Sequence, residues 1–245
     1  MYQTTYTLPD FLIIGAPKSG TWWLASRVAK HPRVFLARGA QSGEVKYFTK
    51  YFHKPLSYYS SLFEASGERI KGEKSPHYCT LPESRIRFVA ELMPTVRLIL
   101  ILRNPIDRDW SETLNALLRN TGKRYEQLEE ATMFAMLDKV RIKYTTVIKN
   151  WFQHFSQDQL HICFFDDIKN DPRSLLENVF RHIGVSEDID YSQLKLAEVV
   201  NKGMEIPLYS PYMEYLRDVY ASEVERMHQM FGDKIDPWRS PMSTA

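Results

Sequence analysis

The chain has 245 residues, 44% of them hydrophobic and 25% charged, with a formal net charge of +2. That length and balance suit a single α/β domain over residues 1–245 with a full core, and exclude a disordered or fibrous chain. So small a net charge argues against a nucleic-acid coat, and two cysteines, Cys79 and Cys163, with no C-x-x-C pair argue against a disulfide framework or a zinc cluster.

The opening residues "MYQTTYTLPD" lack the basic stretch and apolar run of a signal peptide. Phe11–Ile14 predicts a first strand, and the segment from Gly20 to about Lys30 a helix. A short strand at Val34–Leu36 leads into an irregular stretch, "ARGAQSG", at 37–43, followed by polar and aromatic helical segments through about Phe63. "RIKGEKSP" (69–76) reads as a strand leaving into a loop, because Pro76 restricts Ser75 to extended geometry. "VRLILIL" (96–102) is apolar on both faces, as a central parallel strand is; its core is far shorter than the about 20 residues of a bilayer span. Pro105 stands at the first turn of the next helix, a position proline tolerates. One long helix is expected over about 127–152, then a strand "HICFFD" (161–166). Asp171-Pro172 caps a helix ending near Gly184, and a last helix covers about 210–231. The sum is a doubly wound, mainly parallel sheet with helices on both faces, in which ligands bind at the carboxyl ends of the strands.

Those ends carry the chemistry. "GAPKSGTWW" (15–23) has the Gly-x-x-x-x-Gly spacing of a phosphate loop between a strand and a helix, where backbone N–H groups and a helix N-terminus converge on an anion. Lys18 adds charge inside the loop, and Ser19 and Thr21 add hydroxyls. In a nucleotide-triphosphate loop the residue after the loop lysine gives a hydroxyl to magnesium, whereas Trp22 stands at that place and cannot ligate a metal. After the central strand comes Arg103, a cation rather than a metal-holding aspartate. The site thus reads as one that neutralises phosphate with protein charge and needs no metal.

With "PKSGT" at 17–21, "GEVKYF" at 43–48, "EKSP" at 73–76 and "ILRNPIDRDWS" at 101–111, the chain resembles the sulfotransferases that use 3′-phosphoadenosine 5′-phosphosulfate (PAPS), closest to the heparan-sulfate group and its bacterial relatives. The likeness runs from about residue 10 to 118 and resumes weakly at "NKG" (201–203). It implies that Pro17, Lys18, Ser19, Gly20, Thr21 and Trp22 line the 5′-phosphosulfate, with Lys18 near the bridging oxygen. It further implies that Arg103 and Ser111 hold the 3′-phosphate, joined by Lys202 and Gly203, and that 3′-phosphoadenosine 5′-phosphate (PAP) is the product. Where the family has a second threonine, this chain has Trp22, and "KGM" replaces the commoner "KGR".

Sulfuryl transfer requires a base for the acceptor hydroxyl. The resemblance gives that role to Glu44, for which a carboxylate favouring a helix N-terminus is the plain alternative. It places Lys74 beside the transferring group, with Glu73 as its orienting partner or a strand-end charge. His77 is a candidate for the acceptor pocket, and His53 a rival base, as in the branch that uses histidine. The expected enzyme is a soluble, cytoplasmic, bacterial sulfotransferase acting on a small metabolite, lipid or saccharide alcohol, with no nucleic acid, membrane span or metal. A P-loop kinase or other NTPase, and a non-catalytic PAPS-binding relative, are the competing readings.

Overall fold

The structure, a computed structural model, describes residues 6–39, 43–119, 121–204 and 206–239. The chain divides into two compact units, Met1–Leu102 with Asn150–Asn201, and Arg103–Lys149 with Lys202–Ala245.

The first unit is built on a five-stranded sheet of β1 (Phe11–Gly15), β2 (Val34–Leu36), β3 (Ile70–Lys74), β4 (Arg97–Leu102) and β5 (Leu160–Phe164), in the order β2-β3-β1-β4-β5. All pairings are parallel. Side chains alternate across the sheet, so Phe11, Ile13, Ile99 and Ile101 share one face. They are buried against α1 (Thr21–Val28) and the later helix Pro172–Ile183 through Trp23, Leu24, Val28, Leu176, Val179 and Phe180. Leu12, Ile14, Leu98 and Leu100 on the opposite face are equally buried, which is why the strands read as continuous apolar runs. Burying each such side chain favours folding by roughly 1.5–3 kcal/mol.

The strands and the helix expected over 210–231 lie close to where sequence puts them; three local expectations do not hold. In the aromatic stretch only α2 (Leu56–Ser61) is α-helical up to Ser61, starting after Pro55, because residues 47–54 form turns behind Lys46 at φ 56°. After α3 (Glu83–Leu92) and α4 (Pro105–Leu114), the long helix expected over 127–152 is two, α5 (Glu130–Val140) and α6 (Tyr144–Phe152). The break is stabilised from outside: the Glu223 carboxylate accepts from Thr145 N–H and Thr145 Oγ1, each at 2.8 Å, capping α6. The strand expected over 161–166 ends at Phe164, and Phe165 begins α7 (Phe165–Asn170). The Asp171 side chain accepts from Ser174 N–H at 3.2 Å to cap α8 (Pro172–Ile183), as its sequence predicts. The second unit gathers α4, α5, α9 (Ser210–Phe231) and α10 (Asp236–Arg239). Of the irregular stretch 37–43, residues 40–42 lie outside the described residues. Among the described residues no helix is long and apolar enough to cross a membrane.

Candidate active site

In the first unit the phosphate loop leaves β1 and turns into α1. Gly15 is required by a close approach: a Cβ there would lie 2.7 Å from Cys79 Cβ, Cys79 Sγ and the Pro76 carbonyl oxygen. The loop therefore sits directly on the turn that follows β3. Gly20, at φ 82°, is the N-cap residue of α1 in the left-handed region that glycine enters without strain. Lys18 is left-handed too, at φ 64°. Such a conformation costs a side-chain-bearing residue about 1–2 kcal/mol, and strained backbone of this kind clusters at functional sites. Ser19 is fully buried, and among the described residues its Oγ has no hydrogen-bond partner. A buried hydroxyl at a helix N-terminus, beside a lysine, is the donor set that an oxyanion of phosphate satisfies. The donor set of the loop suits a phosphate group.

β3 delivers the second group. Ile13 of β1 pairs with Lys74, and Ser75 N–H donates to the Ile13 carbonyl at 3.1 Å, so Lys74 emerges beside the start of the loop. Its Nζ donates to Glu44 Oε1 at 3.0 Å, while Lys46 Nζ holds Glu44 Oε2 at 3.1 Å. Burial alone would raise the Glu44 carboxyl, but the two ammonium groups outweigh it and hold its pKa below the ordinary value. Burial lowers Lys74 to about 8 although Glu44 pulls the other way. Among the described residues Glu44 begins no helix and its carboxylate is held by two lysines, which corrects the capping alternative.

Trp22 has a place in this arrangement. The Lys74 ammonium lies 3.4 Å from the centre of the Trp22 ring, and the ring edge abuts Gly43, whose added Cβ would come within 2.7 Å of it. Lys74 is thus held between an indole face and a carboxylate. A desolvated cation–π contact contributes about 2 kcal/mol. Restoring the family's hydroxyl with Trp22→Thr is expected to reduce turnover about tenfold with little change in PAP affinity, whereas Trp22→Phe retains most activity. Steady-state rates and calorimetry check this; equal activity of the threonine and phenylalanine variants would contradict it.

Glu73 is not the orienting partner of Lys74. As neighbours on a strand the two point to opposite faces, and the fully buried Glu73 carboxylate accepts from the hydroxyls of Tyr59 at 2.7 Å, Tyr78 at 3.1 Å and Ser75 at 2.7 Å. Burial pushes it up to about 7 against the pull of those donors. An unfolded glutamate titrates near 4.5, so the folded chain binds the extra proton between the two values. The contribution of Glu73 to stability is then full below about pH 4.5 and lost as pH rises through about 7. Wild-type urea midpoints are expected to fall over that window relative to Glu73→Gln; parallel profiles would contradict the shift.

His77, in the turn Pro76–Thr80, and His53 are both exposed. Lys46 and Trp22 contact the Glu44–Lys74 pair, and among the described residues neither histidine joins it. Sequence reasoning missed Lys46, Ser75, Tyr59 and Tyr78; of these only Lys46 and Ser75 fall within the motif letters.

In the second unit Arg103 precedes Asn104, whose side chain accepts from Ile106 N–H at 3.0 Å to cap α4. Arg103 N–H donates to Tyr144 Oη at 3.4 Å. Ser111 lies two turns on, and a Cβ on Gly203 would be 3.7 Å from its Oγ. Trp110 Nε1 donates to the Ile206 carbonyl at 2.8 Å, fixing that late segment against α4. The structure brings Ser111 and Gly203 together, with exposed Lys202 adjoining.

A protein-family model described as a sulfotransferase domain matches residues 8–206. The bifunctional heparan sulfate N-deacetylase/N-sulfotransferase 1 of Caenorhabditis briggsae is 25% identical over 94% of this chain and 28% of its own length. Heparan sulfate glucosamine 3-O-sulfotransferase 3A1 of Mus musculus is 28% identical over 74% of this chain and 47% of its own. The chain spans about a quarter of the length of the first relatives it matches. Among solved structures, a sulfotransferase from Alicyclobacillus acidocaldarius superposes with a TM-score of 0.74 at 20% identity, covering 95% of this chain and 99% of that one. A mouse sulfotransferase complexed with PAP gives 0.57 at 14%, covering 94% and 87%. The fold is that of these proteins, a P-loop-like parallel sheet.

Proposed function

Because the chain belongs to the PAPS-dependent sulfotransferase family, we propose that it transfers a sulfuryl group to an acceptor hydroxyl without a metal ion, with Glu44 as general base. The observation that carries this reading is Lys74: one ammonium contacts both Trp22, on the helix that opens from the phosphate loop, and the Glu44 carboxylate.

PAPS supplies the sulfuryl group and a phosphate leaving group. Ser19, Thr21 and the N–H groups at the start of α1 bind the 5′-phosphate end, with Pro17 and Gly20 shaping the turn. Lys18 meets negative charge growing on the bridging oxygen, and Lys74 the charge on the sulfuryl oxygens. Glu44, ionised at neutral pH, takes the acceptor's proton. Arg103, Ser111, Lys202 and Gly203 hold the 3′-phosphate, Arg103 as a forked donor. The metal-free character rests on the donor set: Trp22 replaces the metal's hydroxyl ligand, and both oxygens of Glu44 are taken by ammonium groups.

Calorimetry with PAP, and with ATP and magnesium, tests the donor; preference for ATP would return the chain to the kinase reading. A radiolabelled sulfate donor offered to an alcohol panel tests the acceptor. An amine acceptor is the second reading, favoured by the N-sulfotransferase relatives. De-N-sulfated and N-sulfated heparan sulfate in the same panel separate the two.

A further inference from the structure

The segment that carries Glu44 is irregular, Gly43 through Lys46 having no regular secondary structure, with Lys46 at φ 56°. A base on such a segment needs something to fix it. Three successive residues after Val45 each have a tie that leads to one buried group. Lys46 N–H donates to Ser75 Oγ at 2.9 Å, and Ser75 Oγ donates to Glu73 Oε2 at 2.7 Å. Phe48 N–H donates to Tyr78 Oη at 3.2 Å, and Tyr78 Oη donates to Glu73 Oε1 at 3.1 Å. Between them, the Tyr47 ring stacks on Tyr59, centroids 4.4 Å apart and planes 12° from parallel, and Tyr59 Oη donates to Glu73 Oε1 at 2.7 Å. The Ser75 and Tyr78 hydroxyls each use a lone pair for a backbone N–H, which leaves their protons for the carboxylate.

We propose that Glu73 is the positioning residue of the base: through Ser75, Tyr59 and Tyr78 it orders residues 46–48 and so sets Glu44 between Lys46 and Lys74. Once ionised, the carboxylate suits this post because it is acceptor-only and takes all three hydroxyl protons at once; a glutamine amide in its place would at every pH present two donors to groups that are already donating. Buried polar networks of this kind fix one geometry when every member is satisfied. The hydrogen bonds of the Glu73 carboxylate run to Tyr59, Ser75 and Tyr78, so its effect on chemistry runs through the segment that carries Glu44. The inference rests on Glu44 as base, but its test needs no acceptor.

Residue-resolved amide exchange and carboxyl-carbon titration by NMR on the full chain provide that test, with Ser75→Ala, Tyr78→Phe and Glu73→Gln. Ser75→Ala is expected to speed exchange at Lys46 about tenfold and Tyr78→Phe at Phe48 by the same factor, one buried hydrogen bond each. Glu73→Gln speeds both, while the amides of β1 and β4 hold their wild-type rates. In all three variants the Glu44 pKa is expected to rise toward the ordinary carboxyl value as its lysine pairs loosen. Glu73, raised to about 7, is already neutral where Glu44 titrates, so Glu73→Gln removes no charge there and the shift reports the loosened lysine pairs. Ser75→Thr, which keeps the hydroxyl, restores slow exchange at Lys46. Exchange that is unchanged at 46 and 48, or raised alike across the sheet, overturns the proposal; so does a Glu44 pKa that stays or falls. Loss of transfer in Glu44→Gln is a separate result, bearing only on the base.

Discussion

Glu44→Gln is expected to slow sulfuryl transfer by about 10²–10⁴-fold, the usual worth of a general base, while PAP affinity stays within about threefold. Glutamine keeps the size of the side chain and can still accept from one lysine, but it has no site for the acceptor's proton. Two effects reinforce each other. The carboxylate that normally raises the Lys74 pKa is gone, so Lys74, already lowered to about 8, loses more of its charge near neutrality. The buried ammonium also loses its partner, so Tm is measured alongside the rates to separate misfolding from lost chemistry. A folded variant that binds PAP and transfers at the wild-type rate would remove Glu44 from the role.

Lys18→Met is the second large effect: the dissociation constant for PAP is expected to rise about 10–100-fold, the range for losing a charge-assisted hydrogen bond to phosphate. The substitution keeps length and removes charge. Since Lys18 occupies left-handed backbone at φ 64°, a Lys18→Gly variant serves as control. Glycine relaxes the backbone strain, so a gain in folding stability with the same loss of affinity assigns the effect to the ammonium. Calorimetric titration of both variants reads it directly. Unchanged affinity in Lys18→Met would place the phosphate elsewhere.

The phosphate loop and the strands were legible because their signals are local. A Gly-x-x-x-x-Gly spacing between an apolar run and an amphipathic one, or an unbroken "RLILIL", needs no distant partner to be read. Glu44, Lys74 and Ser111 stand out only through motif letters, since residues such as Glu44 and Lys74, 30 apart, meet only through the tertiary fold. The missed features are those set by tertiary contact. Helical periodicity runs on through 127–152, and what stops it is a carboxylate 78 residues away. Glu73 beside Lys74 looks like its companion until the strand's alternation sends it to the opposite face, under three hydroxyls. Trp22 could not be interpreted from its own neighbours, because its meaning depends on what lies opposite its ring.

The contact between Trp22 and Gly43 has a consequence for how this site can diversify. The indole edge occupies the volume that a side chain at 43 would need, and Gly43 at φ 63° already favours residues such as glycine and asparagine. Positions 22 and 43 are therefore a lock-step pair. A threonine at 22 frees space that an asparagine at 43 can fill, while either change alone leaves a void or a clash. In directed evolution toward new acceptors the two codons belong in one library, because the space open to a side chain at 43 depends on the one at 22.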